Sequence, residues 1–468
     1  MSITQIHIDQ FRQIIGAVNV FDDFETLEKY ASDETEKLKF LPEVVLKPRT
    51  AEEISEILKI CNQYLIPVTP RGGGTGLSGG ALAYKGGVLL STERFNSIIK
   101  IDEQNLQVIT EPGVITEVLQ NAVKEKGLFY PPDPASKGSC FIGGNIAENS
   151  GGPKAVKYGV VKDYVLNLEV VLPTGEIIWT GANVLKNVTG YNLTQLFVGS
   201  EGTLAVVTKI VLKLIPLPKY ELVMLAVFSS VQEACDAISA IFRSGITPSG
   251  LELMERDGVE LASEYIGNCI APFNDNTGAH LVIELDGNHA EVLMKEMEQV
   301  NAILEQNGVT ETFFGETEAQ KDELWKLRRR VAEIAKASGY TIEEDTVVPR
   351  ANLAKLVTGI KALGEKYDFS SVCHGHAGDG NLHVRIKKEG QENSWQNETI
   401  KPILRELFEL VKSLGGSITA EHGVGLVQKD FLNIVYSEKH IQLLRDIKKV
   451  FDPNGILNPG KIFDQHED

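Results

Sequence analysis

Two short segments towards the C-terminus hold the side chains best suited to acid–base or metal chemistry. The histidine segment (residues 373–386) reads CHGHAGDGNLHVRI, and the Glu-His loop (residues 417–426) reads SITAEHGVGL and supplies Glu421 and His422. Imidazole and carboxylate groups together suit zinc, iron or manganese. A lone loop histidine is more often structural, but histidines around a glycine turn together with a Glu-His pair favour a site. We therefore predict that both segments build one chemical site.

The spacing of the histidines predicts how the first of these segments folds. His376 and His383 are seven residues apart, which would place them on opposite faces of a straight strand. The GDG sequence at 378–380 predicts a tight turn instead, and that turn can return His383 towards His376. The run HVRI alternates, so Arg385 is expected on the same side as His383. His374 is expected to be structural or to support the site.

A helix is predicted over residues 322–336, and it positions one arginine. At about 100° per residue, its apolar side chains form one stripe. Arg328 lies at the edge of that stripe, whereas Arg329 and Arg330 point away from it. A buried cation needs a counter-charge, so Arg328 is the arginine best placed to grip a carboxylate in a bidentate manner. An arginine that only covers a domain interface is an equally good interpretation on this evidence.

Two glycine-rich loops precede these segments. The first glycine loop (residues 71–80) reads RGGGTGLSGG, with six glycines in ten residues, and the second glycine loop (residues 140–152) reads CFIGGNIAENSGG. Glycine is needed where the chain takes a positive φ or where another group approaches the backbone closely. The first loop has neither the ending of a P-loop nor the spacing of the Rossmann fingerprint. We predict that these loops hold a ligand against bare peptide N–H groups, with purely structural turns as the alternative.

The surrounding pattern predicts the elements that hold the loops. Upstream of residue 216, strand-like runs alternate with helices such as AEEISEILKICNQY, for which Thr50 and Glu53 are spaced as a capping box. Pro216 and Pro218 punctuate the chain, and we expect a domain boundary there. From residue 220 onward, the spacing of strands and helices fits an antiparallel sheet with helices on one face.

The composition is that of a globular protein, and it excludes several classes. The chain has 468 residues and a net charge of −18, which argues against a nucleic-acid surface. The N-terminus does not resemble a signal or transit peptide, and no apolar run approaches the ~20 residues of a transmembrane helix. Five scattered cysteines without a C-x-x-C pair suit a reducing compartment. We expect a cytoplasmic protein, with peripheral attachment to the inner face of the membrane left open.

Taken together, six ordered motifs resemble a known family. They are PRGGGTGLSGG, PPDPASKGSCFIGGNIAENSGG, GSEGTLAVVT, HAGDGNLH, EHGVG and FDPNGILNPGK. Their combination resembles the FAD-dependent D-2-hydroxyacid dehydrogenases of the vanillyl-alcohol oxidase / p-cresol methylhydroxylase superfamily. This group contains D-lactate dehydrogenases, the flavin subunit of glycolate oxidase and D-2-hydroxyglutarate dehydrogenases.

The resemblance implies an α+β fold in three parts. A two-part FAD-binding domain of the p-cresol methylhydroxylase type would cover residues 1–217. An antiparallel-sheet cap domain, which binds the substrate and has helices on one face, would cover residues 218–420. Residues 421–468 would return to the FAD-binding domain.

The resemblance also implies FAD bound without a covalent link, because Thr75 stands where some relatives carry the histidine that attaches it. The first glycine loop would wrap the pyrophosphate with backbone N–H groups. A second region would line the ribityl chain and isoalloxazine, a third would contact the adenosine half, and two residues of the tail would return to the flavin domain. In that order, the residues are Arg71, Gly72, Gly73, Gly74, Thr75, Gly76 and Leu77; Pro132, Asp133, Ser136, Gly143, Gly144 and Asn145; Glu201, Gly202, Val206 and Val207; and Asn458 and Lys461.

The same resemblance gives the histidines a role. In metal-dependent relatives, the residues that match His376, His383 and Glu421 hold a divalent ion, for which zinc is favoured here and manganese or iron are alternatives. The residue that matches His422 acts as the base. In the implied mechanism the metal binds the substrate hydroxyl and carboxylate, His422 removes the hydroxyl proton, and the Cα hydride passes to flavin N5.

Departures from the family pattern favour a small substrate. The D-2-hydroxyglutarate dehydrogenases carry a threonine and a lysine besides an arginine like Arg328, whereas Ala332 and Glu343 fall at those two positions here. Arg385 replaces an asparagine and could act as a second carboxylate clamp. These changes favour a monocarboxylate such as D-lactate or glycolate, with D-2-hydroxyglutarate as the alternative.

Electrons must leave through an external acceptor, because no cysteine motif offers an internal iron–sulfur relay. A quinone, an electron-transfer flavoprotein, a cytochrome or an iron–sulfur partner subunit would serve, and a homodimer is left open. Two rival interpretations come from other classes: a metallohydrolase that activates water with His376, His383 and Glu421, and a non-catalytic flavoprotein subunit. A flavin oxidase of sugars or phenols is disfavoured by the metal-like cluster.

Overall fold

The computed structural model describes residues 3–35, 38–266, 273–340, 342–388 and 399–464, and within these ranges the chain forms four β-sheets. In spatial order, the first sheet contains Val20–Phe21, Val44–Leu46, Val88–Ser91 and Val68–Arg71, and the second contains Ile98–Asp102, Gln107–Thr110, Val206–Lys213, Val165–Val171 and Ile177–Trp179. The short strands Leu128–Phe129 and Ile215–Pro216 form a two-stranded sheet. The cap sheet contains Val309–Gly315, Tyr220–Phe228, Ala279–Gly287, Gly250–Glu255, Ser370–Gly375, Asn381–Lys387 and Ile342–Val347.

Helices connect and cover these sheets. In the N-terminal half they are Gln5–Ile15, Phe24–Lys29, Ala51–Tyr64, Thr116–Lys124, Ile142–Glu148, Ala155–Tyr158, Leu193–Phe197 and Val231–Arg243. The others are Arg256–Ile266, Ala290–Gln306, Glu318–Ala337, Leu353–Tyr367, Lys401–Ser413, Leu432–Val435 and Glu438–Phe451.

The helix Ala51–Tyr64 shows how local sequence sets an element. The Thr50 hydroxyl accepts the N–H of Glu53 at 3.2 Å, and the Glu53 carboxylate accepts the N–H of Thr50 at 3.4 Å. The predicted capping box is therefore confirmed. Ile54 and Leu58 are fully buried in the core of the first sheet, so one face of the helix supplies the packing that stabilises it.

The cap sheet is antiparallel throughout, as expected. Its helices, however, cover both faces rather than the one face predicted. The side chains of Met224 and Ala226 pack under Val231–Arg243 and its neighbours, whereas Val223 and Leu225 pack under the helix Glu318–Ala337. A strand that is apolar at consecutive positions buries both of its faces, and the run LVMLAVF is such a strand.

The helix Glu318–Ala337 contains the segment predicted as helical and extends it at both ends to 20 residues. Its residues Leu324, Leu327 and Val331 are buried on the face turned to the cap sheet, and Arg328 is buried with them. Within the described ranges, the helices fall short of the length and apolar character needed to span a membrane.

The C-terminal segment returns to the first sheet. The N–H of Val68 donates to Ile456 at 2.8 Å, and the N–H of Asn458 donates to Val68 at 2.7 Å. This contact joins the end of the chain to the strand that leads into the first glycine loop. The residue limits of the three domains stay a prediction.

Four cysteines lie in the described ranges, and all four are reduced and buried: Cys61, Cys140, Cys235 and Cys373. Burial raises the pKa of the Cys235 thiol to about 12, so this group is inert at neutral pH. Cys269 lies outside the described residues.

Candidate active site

The first glycine loop, the second glycine loop and the Glu-His loop line one cleft. The predicted residues that line it are Arg71 to Leu77, Ser136, Gly143, Gly144, Asn145, Glu201, Gly202, Val206, Val207, Glu421 and His422. The two parts of the sequence prediction, a peptide cradle and an acid–histidine pair, therefore meet at one place.

The two glycine loops also pack on each other. A Cβ at Gly73 would lie 2.7 Å from the carbonyl oxygen of Ser139, which is closer than a real contact allows. Arg71 is buried and donates to the carbonyl oxygens of Tyr30 and Ser32 at 3.2 and 2.8 Å. Gly73 is thus needed because the two loops approach each other closely. Arg71 holds the start of the first glycine loop against the segment 30–32.

Four of the predicted cofactor residues do not line this cleft: Pro132, Asp133, Asn458 and Lys461. Asp133 forms an ion pair with Lys137 at 2.8 Å, and the carbonyl of Pro132 accepts from Gln120 at 2.9 Å. These contacts stay within the segment 116–137 and shape the approach to Ser136.

Asn458 and Lys461 support the first glycine loop from behind. Both side chains donate to the carbonyl oxygen of Gly80 at 3.0 Å, and Lys461 also donates to Leu82 at 2.8 Å. Burial lowers the pKa of Lys461 to about 7. Their observed contacts fix the loop backbone rather than face the cleft.

The histidine segment folds as predicted. The N–H groups of Asp379, Gly380 and Asn381 all donate to the carbonyl oxygen of His376 at 3.1–3.2 Å and close the turn. The turn brings the His376 and His383 rings to a centroid distance of 5.4 Å. Beyond it, Val384 and Ile386 enter the core, and Arg385 shares the face of His383.

The three predicted metal ligands face one another. The Nε2 atoms of His376 and His383 lie 3.4 and 3.5 Å from the same oxygen, Oε1 of Glu421. The other nitrogen of each ring faces a carboxylate: Nδ1 of His376 lies 2.8 Å from Glu252, and Nδ1 of His383 lies 3.8 Å from Asp345. A hydrogen-bonded carboxylate behind the imidazole is the usual arrangement for metal-ligating histidine, since it fixes the tautomer and points Nε2 at the ion. His376 has this arrangement through Glu252, whereas Nδ1 of His383 is buried without a hydrogen bond.

The charges around these atoms put Glu421 and His383, but not His376, in the form that binds a metal ion. Burial opposes ionisation of Glu421, but His376 and His383 together outweigh burial and lower the pKa of Glu421 to about 2. Burial lowers the pKa of His383 to about 4, so its imidazole is neutral at pH 7. A carboxylate and a neutral imidazole are the forms that bind a divalent cation. Burial lowers the proton affinity of His376, but Glu252 and Glu421 outweigh burial and raise the pKa of His376 well above its usual value, so His376 must release a proton to become a ligand.

The pKa of His422 is shifted in the opposite direction to that of His383. Its ring stacks on His383 at a centroid distance of 5.3 Å. Burial lowers its proton affinity, but Asp345, Glu343 and Glu421 together outweigh burial and raise the pKa of His422. This residue is therefore suited to accept a proton.

Both predicted carboxylate-gripping arginines have a carboxylate partner within the protein. Arg328 Nε lies 2.8 Å from Glu252, and Arg385 Nη2 lies 2.5 Å from Glu343. All four side chains are buried or nearly so, and a buried cation needs a counter-ion. Arg328 acts on the site through Glu252, which also contacts His376.

Sequence reasoning missed Glu252 and Asp345. Asp345 belongs to a group with His383, Glu421 and His422 whose ligand atoms lie within 4.8 Å of one another. Each acid stands in a buried strand, Glu252 in GLELME and Asp345 in IEEDTV. An acid in an otherwise buried strand was the available signal, because such a group requires a partner.

Glu344 lies on the same strand as Asp345 but points to the opposite face, where it accepts from Gln428 at 2.9 Å. Burial, followed by the charges of Asp345 and Glu343, raises its pKa from 4.5 to about 8. Because the pKa is higher in the folded state, folding takes up a proton, and stability falls as the pH rises from 4.5 towards 8.

We therefore expect Glu344→Gln to raise the melting temperature, by an amount that grows across this pH interval. The glutamine carbonyl can still accept from Gln428. Thermal unfolding at both ends of the interval checks this, and an equal gain at both ends would contradict it.

Comparison with known families agrees with this geometry. The family model "FAD linked oxidases, C-terminal domain" matches residues 217–462, and the model "FAD binding domain" matches residues 42–181. The chain belongs to the FAD-linked oxidases, a family of flavoprotein oxidoreductases. FAD as the cofactor is thereby confirmed.

Individual relatives cover nearly the whole chain. It is 40% identical over 464 residues to "Glycolate oxidase subunit GlcD" of Bacillus subtilis, across 98% of this chain and 97% of the relative. It is 35% identical over 465 residues to "D-lactate dehydrogenase" of Anaerostipes hadrus, across 98% of this chain and 98% of the relative. The structure of p-cresol methylhydroxylase with bound substrate superposes with a TM-score of 0.81 at 20% identity, covering 100% of this chain and 99% of that one. The predicted fold class is confirmed, except that helices cover both faces of the cap sheet.

Proposed function

We propose that this protein oxidises a small D-2-hydroxy acid, D-lactate or glycolate, to the 2-oxo acid with FAD as the oxidant. The observation that carries this proposal is the cleft that the loops share. Glu421 and His422 line it together with both glycine loops, so the acid–base groups border the place where a flavin nucleotide would lie. Two relatives are named as a glycolate oxidase subunit and a D-lactate dehydrogenase, and these names support the same substrate class.

The residues of the cleft fit FAD. Backbone N–H groups of the first glycine loop suit a pyrophosphate, and the apolar wall at Val206 and Val207 suits an aromatic ring system. When bound, FAD supplies the acceptor for the hydride of the substrate Cα. The chain's own contribution is to hold the cofactor and to place the substrate against it.

His376, His383 and Glu421 fit a divalent cation, zinc being favoured, because their facing atoms converge and the Glu252 carboxylate supports the imidazole of His376. An ion held there supplies Lewis acidity that lowers the pKa of a bound hydroxyl. His422 accepts the hydroxyl proton, since three neighbouring carboxylates raise its proton affinity. Removal of this proton favours departure of the hydride from Cα.

The arginine pairs support a monocarboxylate. Arg328 and Arg385 each lie beside a protein carboxylate, Glu252 and Glu343, which weakens their attraction for a second carboxylate of the substrate. The electrons then pass from reduced FAD to an external acceptor: a quinone, an electron-transfer flavoprotein, a cytochrome or an iron–sulfur partner subunit.

The test is anaerobic reduction of the purified flavoprotein by a panel of D- and L-2-hydroxy acids, followed by loss of flavin absorbance. We expect D-lactate or glycolate to bleach the flavin and L-lactate to leave it oxidised. Absence of bleaching by every acid would contradict the proposal. A rate with D-2-hydroxyglutarate far above that with D-lactate would overturn the substrate preference alone.

A further inference from the structure

We propose that Glu201 is a positioning residue for His422, which it holds over the cleft through the backbone of the Glu-His loop. This inference rests on the proposed function, in which His422 is the base. Glu201 belongs to the GSEG sequence, far from the Glu-His loop along the chain, and its carboxylate reaches that loop in space.

One end of the loop is held from the cap sheet. A single oxygen of Asp345, Oδ2, accepts from four donors of consecutive residues. They are the Thr419 hydroxyl at 3.0 Å and the N–H groups of Ala420, Glu421 and His422 at 2.8, 2.7 and 2.9 Å. Asp345 is 1% exposed, so water does not compete for these donors. This anchor fixes the backbone that carries Glu421 and His422.

The other end of the loop is held from the opposite side. Oε1 of Glu201 accepts the N–H of Val424 at 2.8 Å, and Oε2 accepts the N–H of Gly425 at 2.6 Å. Glu201 is 6% exposed, and its own carbonyl oxygen accepts from Asn458 at 2.8 Å. Both carboxylate oxygens are thus used on the loop, and the backbone behind them is fixed by the tail of the chain.

The loop also lies directly on the first glycine loop. The N–H of Leu426 donates to the carbonyl oxygen of Ser78 at 2.8 Å. Gly425 has φ +47°, and a Cβ there would lie 2.1 Å from the same oxygen. A side chain at this position would push the Glu-His loop away from the cleft, which explains the second glycine of EHGVG.

Two buried carboxylates therefore hold the backbone of the loop that carries His422. Asp345 binds it from the cap sheet, and Glu201 binds it from the cofactor side. Loss of the Glu201 acceptors would leave buried N–H groups unpaired, which is costly. The loop would shift to satisfy them, and a displacement of about 1 Å at a reacting group can lower a rate by about 10²-fold. Substrate binding would change less than the rate, because Asp345 still accepts from the N–H of Glu421 and the histidine segment lies outside the loop.

The test compares Glu201→Gln with the wild-type holoprotein. The amide keeps one acceptor but turns an N–H donor towards another N–H donor. We expect the rate constant of flavin reduction by the best substrate to fall by about 10²-fold. FAD retention and the affinity for the 2-oxo acid product, measured by perturbation of the flavin spectrum, should be preserved. The matched control is Glu169→Gln, a buried glutamate of the second sheet whose partners are Thr208 and Lys209, and it should leave the rate constant unchanged.

A double-mutant cycle separates positioning from general damage. If Glu201 acts through His422, Glu201→Gln should cause little further loss in a His422→Ala background, whereas independent effects would multiply. Gly425→Ala disturbs the same contact between Glu201 and the loop by placing a side chain against Ser78. It should lower the rate constant of flavin reduction in the same way, with the product affinity retained. Multiplicative losses, or an unchanged rate in both Glu201→Gln and Gly425→Ala, would overturn the inference. Flavin reduction by no hydroxy acid in the wild type would instead refute the proposed function.

Discussion

His422→Ala should lower the rate constant of flavin reduction by the substrate by ~10²–10⁴-fold, the usual contribution of a general base. FAD should stay bound, because the side chain of His422 forms only one part of the cleft wall. Its buried neighbours raise its proton affinity, and an alanine leaves no group to accept the hydroxyl proton. Stopped-flow reduction under anaerobic conditions measures the effect directly.

The matched control is His440→Ala. His440 stands in the helix Glu438–Phe451, is exposed, and stacks on Tyr436 at a centroid distance of 4.0 Å. The flavin of this variant should be reduced by the substrate at the wild-type rate. If His422→Ala kept near-full turnover with FAD intact, another residue would have to be the base.

If His376, His383 and Glu421 hold a divalent ion as proposed, His376→Ala should remove it and lower the rate of substrate oxidation by about 10³-fold, since Lewis acid stabilisation amounts to several kcal/mol. The fold should survive, because Glu252, which loses its contact with His376, keeps the ion pair with Arg328 at 2.8 Å. Elemental analysis of the purified variant measures the metal, and flavin reduction measures the rate.

For this variant the control is His289→Gln, an exposed histidine at the start of the helix Ala290–Gln306. It should retain the metal content and the rate of the wild type. Wild-type metal content in His376→Ala would show that another set of residues holds the ion, such as the group of Asp345, His383, Glu421 and His422.

Local chemistry in the sequence was enough to predict several elements. The GDG turn, the alternation of HVRI, the capping box of Thr50 and Glu53 and the buried position of Arg328 depend on neighbours within one or two turns of chain. Ordered motifs also gave the family, the fold class and FAD. Each of these follows from residue types at short spacing, which is what a single sequence displays.

The partners of the buried charges were decided only by the tertiary structure. Glu252 and His376 are 124 residues apart in the chain and 2.8 Å apart in space, and Glu201 is more than 200 residues from the Glu-His loop that it holds. Spacing carries no information on such pairs, because a buried charge accepts any counter-charge that the fold brings near. The same holds for Arg385, expected to face a substrate and found beside Glu343.

The sequence by itself thus determined which chemistry the chain contains, since glycine loops, imidazoles and carboxylates are local properties. Only the tertiary structure decided where that chemistry meets. Two buried acids, Asp345 and Glu201, bring the Glu-His loop from the end of the chain onto the glycine cradle formed near its beginning.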